Sequence, residues 1–520
     1  MRYALRGVRN GFLSDRLSHL VRFLYLLGAF VAVLFTSKST AQSSASGQLL
    51  FSPALHKAQA SIFQLHFDEA APLLRSEELK HPDNKMVQVL KCKQLFFTAF
   101  IDEKTNSEER FLKESAALID QLEKTVVETN PLNGFCRAEL LLFRVMLQAK
   151  RQEYWTAALD LRRCHTLMEK NKVLFPSFVP NGLINGAVEC TLGAVPYDYR
   201  WILQLIGWEG DVNSGMRTLS SLLRKIPGSE YDSFTDELLF LMGSLHASLT
   251  PDQLPDDLLL QLLSNHCQEN ELLKYVYTGL LMRQGKNDAA LLILNSPEDP
   301  KATIKLPLMH YRRGLALLRK MDGGARAELL TFVQLSGNGN CVKAAWQKLA
   351  WQSLLQNDLQ GYRENMSQCQ RQGRALIDED KDALREAEAG VPPNHYLLRS
   401  RLYFDGGYYI KAMQCMSGVP ADSFPSVNEK LELTYRFARI LDAMGRKEQA
   451  IVYYKLTLKN GQSSSAYFAA NSALLLGVIY EKRGDCVTAR KYYKECLSLR
   501  HHDYQNSIDQ KAKAALQRCE

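Results

Sequence analysis

The amino-acid sequence predicts an all-α protein built from stacked helical hairpins. Three observations support this prediction: the chain is 520 residues long, it contains only 17 Pro and 30 Gly, and its carboxyl-terminal third repeats itself. Helix breakers are sparse, and the stretches between them are rich in Leu, Ala, Lys, Glu and Gln, which favours helices over sheets. A chain of this length exceeds one ordinary core, so we expect a repeat array or about three domains.

The first 41 residues have the features of an export signal. A basic region, residues 1–22, precedes an uninterrupted apolar run at residues 23–35. This run is shorter than the ~20 apolar residues that span a membrane, and it has the length of a signal-peptide core. Ser39 and Ala41 place small residues at the −3 and −1 positions of a cleavage site, so cleavage is expected before Gln42. The alternative is an uncleaved segment 23–35 that anchors the protein in an inner membrane.

Charge and cysteine content exclude several classes of function. The formal net charge is +8, but residues 1–41 hold six basic residues and one acidic residue. The remainder is therefore near neutral, no basic stripe follows a helix face, and a nucleic-acid partner is not expected. The 11 cysteines are scattered, odd in number and lack a CxxC pair. They are expected to be small buried hydrophobic residues, not a disulfide framework or a metal site.

Two segments of the carboxyl-terminal third, residues 431–459 and 472–499, carry small and aromatic residues at the same offsets. Gly445 recurs as Gly484, and a third unit with Gly407 precedes them. Small residues suit the point where two helices cross, and glycine suits a turn that needs a positive φ. The residues predicted to hold the repeats together are Tyr403, Gly407, Ala412, Ala438, Gly445, Ala450, Tyr454, Gly477, Tyr480, Gly484, Ala489 and Tyr493.

This spacing, Leu-Gly-x2-Tyr followed by Ala-x3-Phe/Tyr, resembles the tetratricopeptide repeat. The whole layout is similar to that of exported bacterial tetratricopeptide-repeat proteins. The resemblance implies a right-handed superhelical solenoid whose concave face, formed by the first helix of each pair, binds proteins or peptides. A weaker likeness, carried by residues 67–70 and 206–211, is to the eukaryotic tetratricopeptide family that includes the mitochondrial outer-membrane inclusion-body clearance protein. The export signal argues against a mitochondrial setting, so no function is transferred from that family.

Breaks in the repeat pattern divide the chain. The expected segments are the signal peptide (1–41), amino-terminal helical repeats (42–180), a hydrophobic helical hairpin (181–226), middle degenerate helical repeats (227–390) and tetratricopeptide repeats (391–520). The hydrophobic segment is interrupted by charges and Pro, so it contains no membrane span. Burial between repeats is the expected role of this hairpin, and contact with a partner or a membrane is the alternative.

The concave positions of the last three repeats supply the candidate partner-binding residues. They are Asn394, Arg401, Asp405, Tyr435, Arg439, Asp442, Asn471, Glu481 and Lys482. The family's carboxylate clamp places Lys and Asn where this sequence has Leu397 and Arg401, so capture of a peptide carboxyl terminus is not expected. The glycine-rich nucleotide-binding, GxSxG and HExxH motifs do not occur, and no catalytic residue, cofactor or metal is predicted.

The sequence therefore predicts a non-enzymatic protein–protein interaction scaffold in the periplasm or cell envelope of a bacterium. Its partner is expected to be a protein or an extended peptide held on the concave face. The alternative is an exported tetratricopeptide-repeat protein that binds glycans or nutrients. Membrane contact is expected only through the signal segment or the hairpin at 181–226.

Overall fold

The computed structural model describes residues 48–126, 129–195, 208, 210–250 and 253–519. These residues contain 24 α-helices, and an isolated parallel β-bridge joins Gln48 to Asn84. The chain is all-α, and its helices form hairpins stacked in sequence order, which confirms the predicted tetratricopeptide-like class. The expected signal peptide at 1–41 and its cleavage site lie outside the described residues.

The first twelve helices belong to the amino-terminal repeats, the hydrophobic segment and the start of the middle repeats. They are α1 (Pro53–Phe63), α2 (Phe67–Lys80), α3 (Met86–Asp102), α4 (Thr105–Thr125), α5 (Pro131–Lys150), α6 (Tyr154–Leu174), α7 (Asn181–Gly193), α8 (Val212–Leu222), α9 (Thr235–Leu249), α10 (Asp257–His266), α11 (Glu271–Arg283) and α12 (Asn287–Leu294). One buried apolar core runs from Leu49 to Leu280 and joins α1 to α11.

The remaining twelve helices complete the middle repeats and form the carboxyl-terminal repeats. They are α13 (Pro307–Arg319), α14 (Ala325–Ser336), α15 (Val342–Leu355), α16 (Leu359–Arg371), α17 (Asp378–Ala389), α18 (His395–Asp405), α19 (Tyr409–Gln414), α20 (Val427–Ala443), α21 (Lys447–Asn460), α22 (Phe468–Lys482), α23 (Cys486–Ser498) and α24 (Gln505–Arg518). A second core, from Leu431 to Cys519, joins α20 to α24.

Local sequence sets the helix ends. Ser52 caps α1 by accepting a hydrogen bond from the Leu55 backbone amide, and Ser426 forms a capping box with Glu429 at the start of α20. Gly445 and Gly484 turn the chain between paired helices with φ of 77° and 79°. A side chain would be strained in this left-handed conformation, which explains the recurring glycine.

Small residues let paired helices approach closely. A Cβ atom at Gly477 in α22 would overlap the ring of Tyr493 in α23. Ala438 and Ala450 are fully buried where α20 crosses α21, and Tyr454 fills the space beside them. Because one pair buries only one side of its apolar surface, each pair needs a neighbour to complete its core.

The hydrophobic segment folds as two helices, α7 and α8, that lie against each other. Gly186 and Gly215 face each other so closely that a Cβ at Gly215 would overlap the Gly186 carbonyl oxygen. Both helices contribute to the large amino-terminal core, and most of the loop between them lies outside the described residues. No helix in the described part of the chain is long and apolar enough to cross a membrane.

The amino-terminal pairs contact the middle repeats across large sequence separations. The His66 Nε2 and Asp299 Oδ2 atoms lie 2.5 Å apart, with both side chains buried. The Asn340 backbone amide donates to Glu103 over 2.7 Å, and the Gln152 side chain donates to the Leu376 carbonyl. The array therefore curves until its first pairs pack on its middle pairs.

A buried charge network joins four helices, α1, α3, α5 and α9. Lys93 of α3 lies 2.5 Å from Glu139 of α5 and 3.6 Å from Glu237 of α9, and all three side chains are at most 1% exposed. Gln59 of α1 accepts a hydrogen bond from Lys93 and donates one to Glu237. Burial would lower the pKa of Lys93, but the two carboxylates outweigh burial and raise it.

The surroundings of Glu139 favour its protonated form. Burial, and then the adjacent Glu237, raises the pKa of Glu139 well above its ordinary value. Glu139 Oε2 and Glu237 Oε1 are buried and have no hydrogen-bond partner among the described residues. A proton on Glu139 would reduce the negative charge that faces the Lys93 ammonium.

Lys93→Met is expected to destabilise the protein by about 3–5 kcal/mol, because it leaves buried carboxyl groups without their cation. Lys91→Met in the same helix is the matched control, since Lys91 is 43% exposed and its ion pair with Glu78 lies on the surface. The control should cost less than about 1 kcal/mol. Urea unfolding followed by circular dichroism measures both. Glu139→Gln should cost less than Lys93→Met, because the raised pKa of Glu139 already favours its neutral form, and equal costs would contradict this explanation.

The turn after α18 touches the turn after α11. Gly407 has φ of 81°, and a Cβ there would overlap the carbonyl of Gly285. Beside it, the Tyr408 hydroxyl donates to Asp288 over 2.8 Å and accepts from Asn287 over 3.1 Å. This contact fixes where the carboxyl-terminal repeats join the middle repeats.

Gly407→Ala is expected to weaken the contact between the turns that contain Gly407 and Gly285. Gly484→Ala is the control, because it introduces only backbone strain. Gly484 has φ of 79° and open space around its Cβ position, so its substitution should cost about 1–2 kcal/mol. Gly407→Ala should cost about 1–3 kcal/mol more, because the new methyl overlaps backbone. Hydrogen exchange should rise in α18 and α19 only for Gly407→Ala. Equal protection in both variants would show that the junction does not depend on this close approach.

Candidate functional site

The carboxyl-terminal repeats contact the middle repeats through their first helix. The first helix of the carboxyl-terminal block, α18, lies against α13 and α15. On the far side, Tyr504 at the start of α24 donates a hydrogen bond to Asp382 of α17 over 3.0 Å. The two blocks therefore enclose a concave region between them.

A cavity of about 260 Å³ lies on the inner face of the carboxyl-terminal repeats. Its lining combines arginines with aromatic rings and consists of Ser400, Arg401, Phe404, Asp405, Tyr435, Arg436, Arg439, Ile440, Tyr467 and Tyr504. Four of the sequence-predicted residues, Arg401, Asp405, Tyr435 and Arg439, meet here. Such a lining suits extended or ionic groups better than a purely apolar ligand.

Arg439 is held by aromatic rings. Its guanidinium carbon lies 5.0 Å from the centre of the Phe404 ring and 5.9 Å from that of Tyr435. It also donates to the Tyr435 hydroxyl over 3.0 Å, and Asn471 donates to the same hydroxyl over 2.6 Å. Stacking fixes the guanidinium without neutralising it, and no carboxylate of the described residues lies within 4.0 Å.

Arg401 shares an aromatic partner with a lysine of the middle repeats. Its guanidinium carbon lies 5.1 Å from the centre of the Trp351 ring, and the Lys348 Nζ lies 3.9 Å from that centre. Burial, together with the positive charge of Arg401, lowers the pKa of Lys348 to about 8. Desolvation acts against the charge of Arg401, but the carboxylates of Asp405, Glu432 and Glu386 and the Tyr467 hydroxyl together outweigh it and raise the Arg401 pKa.

Several predicted groove residues serve the fold instead of facing the cavity. Asn394 caps α18 by accepting from the backbone amides of Tyr396 and Leu397. Asp442 accepts from Lys447 and from the Tyr454 hydroxyl at the α20–α21 turn. Asn394 is occupied because the first backbone amides of a helix need an acceptor, and Asp442 is occupied because it pairs with Lys447 across the turn.

The carboxyl-terminal helix covers another predicted position. Glu481 accepts hydrogen bonds from Arg518 of α24, at 2.8 Å and 3.2 Å, and from the Tyr493 hydroxyl. Lys482, at the end of α22, is exposed. The inner face of the last pair is therefore partly occupied by α24, which the sequence analysis did not anticipate.

The predicted repeat-packing residues lie within and between the paired helices. Full burial is shared by Ala412, Ala438, Ala450, Tyr454, Ala489 and Tyr493, whereas Tyr403 and Tyr480 are half-buried. The ring of Tyr480 stacks on Tyr492 with centres 5.6 Å apart. Among the glycines, Gly407, Gly445 and Gly484 have positive φ, and Gly477 lies at a helix crossing.

Sequence reasoning missed the contributions of Arg319, Lys348, Trp351, Tyr467 and Tyr504. Arg319 and Lys348 lie in degenerate repeats without a motif that would assign them to an inner face. Tyr467 and Tyr504 directly precede α22 and α24, at positions that the repeat pattern does not assign to an inner face. Cationic residues occur on each of α13, α15 and α18. They indicate a shared site only once it is known that these three helices pack together.

A second cavity, of about 170 Å³, differs in its charge balance. Its wall includes Lys274 paired with Glu271 at 2.7 Å and Lys305 paired with Glu298 at 3.0 Å. His310 lies 2.7 Å from Glu328, which also pairs with Arg313. These charges already have partners within the protein. No cluster of potential metal ligands occurs in the described part of the chain.

Comparisons with known proteins add little to this geometry. No protein-family model matches the chain, and no curated protein matches it. Among solved structures, the chain is similar to one described as "Structure of Naa15/Naa10 bound to HypK-THB". The identity is 11%, the match covers 88% of this chain and 78% of that chain, and the TM-score is 0.18. A score this low carries no argument about shared shape or function.

Proposed function

We propose that this protein is a non-enzymatic interaction scaffold that binds a partner protein or peptide on the inner face of its carboxyl-terminal repeats. The proposal rests chiefly on the cavity that contains Arg401 and Arg439. Both guanidiniums stack on aromatic rings, and neither has a carboxylate within 4.0 Å among the described residues. Arginine and aromatic side chains together are the residue types that dominate protein interfaces.

The surroundings of the cavity support a peptide or protein ligand. Tyr435, Tyr467 and Tyr504 supply flat apolar surface with polar edges, which suits a polypeptide backbone and its side chains. The cavity opens on helices of different repeats, so a ligand there would contact several pairs at once. Extended ligands gain affinity from such continuous surfaces.

The proposed setting is the periplasm or cell envelope of a bacterium. It rests on the basic, apolar and small-residue segments within positions 1–41. The absence of catalytic motifs in the sequence supports the non-enzymatic part of the proposal.

Capture of partners from an envelope extract of the source organism tests the scaffold. The wild-type chain from residue 42 is expected to retain a specific protein, and Arg401→Glu with Arg439→Glu is expected to lose it, because both changes place carboxylates in the cavity. The matched control, Arg326→Glu with Arg363→Glu, makes the same charge change on exposed positions of α14 and α16. The captured protein is then purified and titrated against all three chains.

Retention of the partner by the cavity variant, at wild-type affinity, would exclude this face as the binding site. Loss of the partner from both variants would assign the effect to net charge. Circular dichroism spectra of the three chains check that each variant is folded.

The export signal is expected to be removed between Ala41 and Gln42. Amino-terminal sequencing of the protein recovered from the envelope fraction should begin at Gln42. An intact Met1 in that fraction would support the uncleaved 23–35 anchor instead, and recovery only from the cytoplasmic fraction would exclude export.

A further inference from the structure

Three cations converge where the middle repeats meet the carboxyl-terminal repeats. Arg319 ends α13, Lys348 lies within α15, and Arg401 lies within α18. Both α13 and α15 contact α18, and Lys348 and Arg401 both lie against the Trp351 ring. We refer to Arg319, Lys348 and Arg401 as the junction cluster.

The charge of the junction cluster is not neutralised within the protein. None of its nitrogens lies within 4.0 Å of a carboxylate in the described residues, although 64 Lys and Arg residues share the chain with 56 Asp and Glu. The Nε and Nη1 atoms of Arg319 are buried and have no hydrogen-bond partner there. A covered guanidinium without partners is costly, and a bound anion would lower that cost.

Nearby carboxylates do not fulfil this role. Glu386 accepts hydrogen bonds from the Trp351 indole over 2.8 Å and from Gln347 over 2.6 Å, and it makes no ion pair with the cluster. The Asp405 carboxylate lies beyond 4.0 Å from Arg319 and Arg401. It acts on their pKa values only through its electrostatic field. The cluster thus keeps a positive charge that is not balanced by contact, in a concave region next to the 260 Å³ cavity.

We propose that the junction cluster binds side-chain carboxylates of an acidic peptide segment in the partner protein. This inference rests on the proposed function and specifies its ligand. Guanidinium groups match carboxylates in shape and charge, and Trp351 holds Arg401 and Lys348 in place for that contact. The mixed charge of the region, which includes Asp405 and Glu386, suits a peptide with a few acidic residues better than a densely charged phosphate polymer.

The test uses a fluorescein-labelled peptide of six glutamates with an amidated carboxyl terminus, so that only side-chain carboxylates can bind. Fluorescence anisotropy is measured with the chain from residue 42 at low ionic strength, where such contacts are strongest. The variant is Arg319→Gln with Lys348→Gln. The matched control, Arg326→Gln with Lys491→Gln, removes the same charge from exposed positions of α14 and α23. We expect the cluster variant to bind at least about tenfold more weakly and the control within about twofold.

The pH dependence provides a second readout. Lys348 is faced by Arg319 of α13 and Arg401 of α18, which with burial lower its pKa to about 8, and by Glu386 and Glu379 of α17, which oppose the decrease. It therefore loses its charge as pH rises through about 8, while the peptide stays ionised. Wild-type affinity should fall between pH 7 and pH 9, and Lys348→Arg should reduce that fall.

The outcomes separate this inference from the scaffold proposal. Equal binding by the cluster and control variants, or no binding of the glutamate peptide, would overturn the acidic ligand. If the captured partner still binds the cluster variant at wild-type affinity, the scaffold stands without this site. Competition by inorganic phosphate at micromolar concentration would assign the cluster to a small anion.

Because Arg319 lacks partners, its loss should leave the thermal midpoint unchanged or raised, and a lowered midpoint would indicate a structural role.

Discussion

A helical pair with one apolar side cannot bury that side alone, and this constraint shapes the whole chain. Each pair is held by small residues at its crossing, as Gly477 against Tyr493 shows, and each exposes apolar surface until the next pair covers it. The repeating glycines, the continuous cores and the curvature all follow from this need. The buried network of Lys93, Glu139 and Glu237 adds a polar contact within this core, which joins α3, α5 and α9.

The same constraint explains what the sequence revealed. Helix crossings and turns are local, so Gly445, Gly484, Ala450 and Ala489 could be assigned from spacing alone. Positions on the inner face of one pair are also local, and Arg401 and Arg439 were found that way.

Features that depend on contact between distant pairs could not be found from spacing. Tyr504 closes the cavity from beside Asp382 of α17, and this contact arises only when the chain has curved. Arg319 and Lys348 join Arg401 because α18 lies against α13 and α15 instead of continuing from α17. No sequence motif marks the point at which α18 packs against α13 and α15. Asn394 was assigned to the groove from its position in the repeat, but as the residue before α18 its side chain caps the helix instead.

The long-range contacts of His66 with Asp299 and of Glu103 with Asn340 bear on how this array folds. An open array of repeats behaves as a chain of nearest neighbours, in which an end can unravel while the rest stays folded. Here, hydrogen bonds join residues 233 and 237 positions apart, so the amino-terminal pairs rest on pairs synthesised much later. The early part of the chain therefore reaches its full stability only after the middle is made. Unfolding at either partner exposes the other, so opening of the amino-terminal pairs is coupled to opening of the middle pairs.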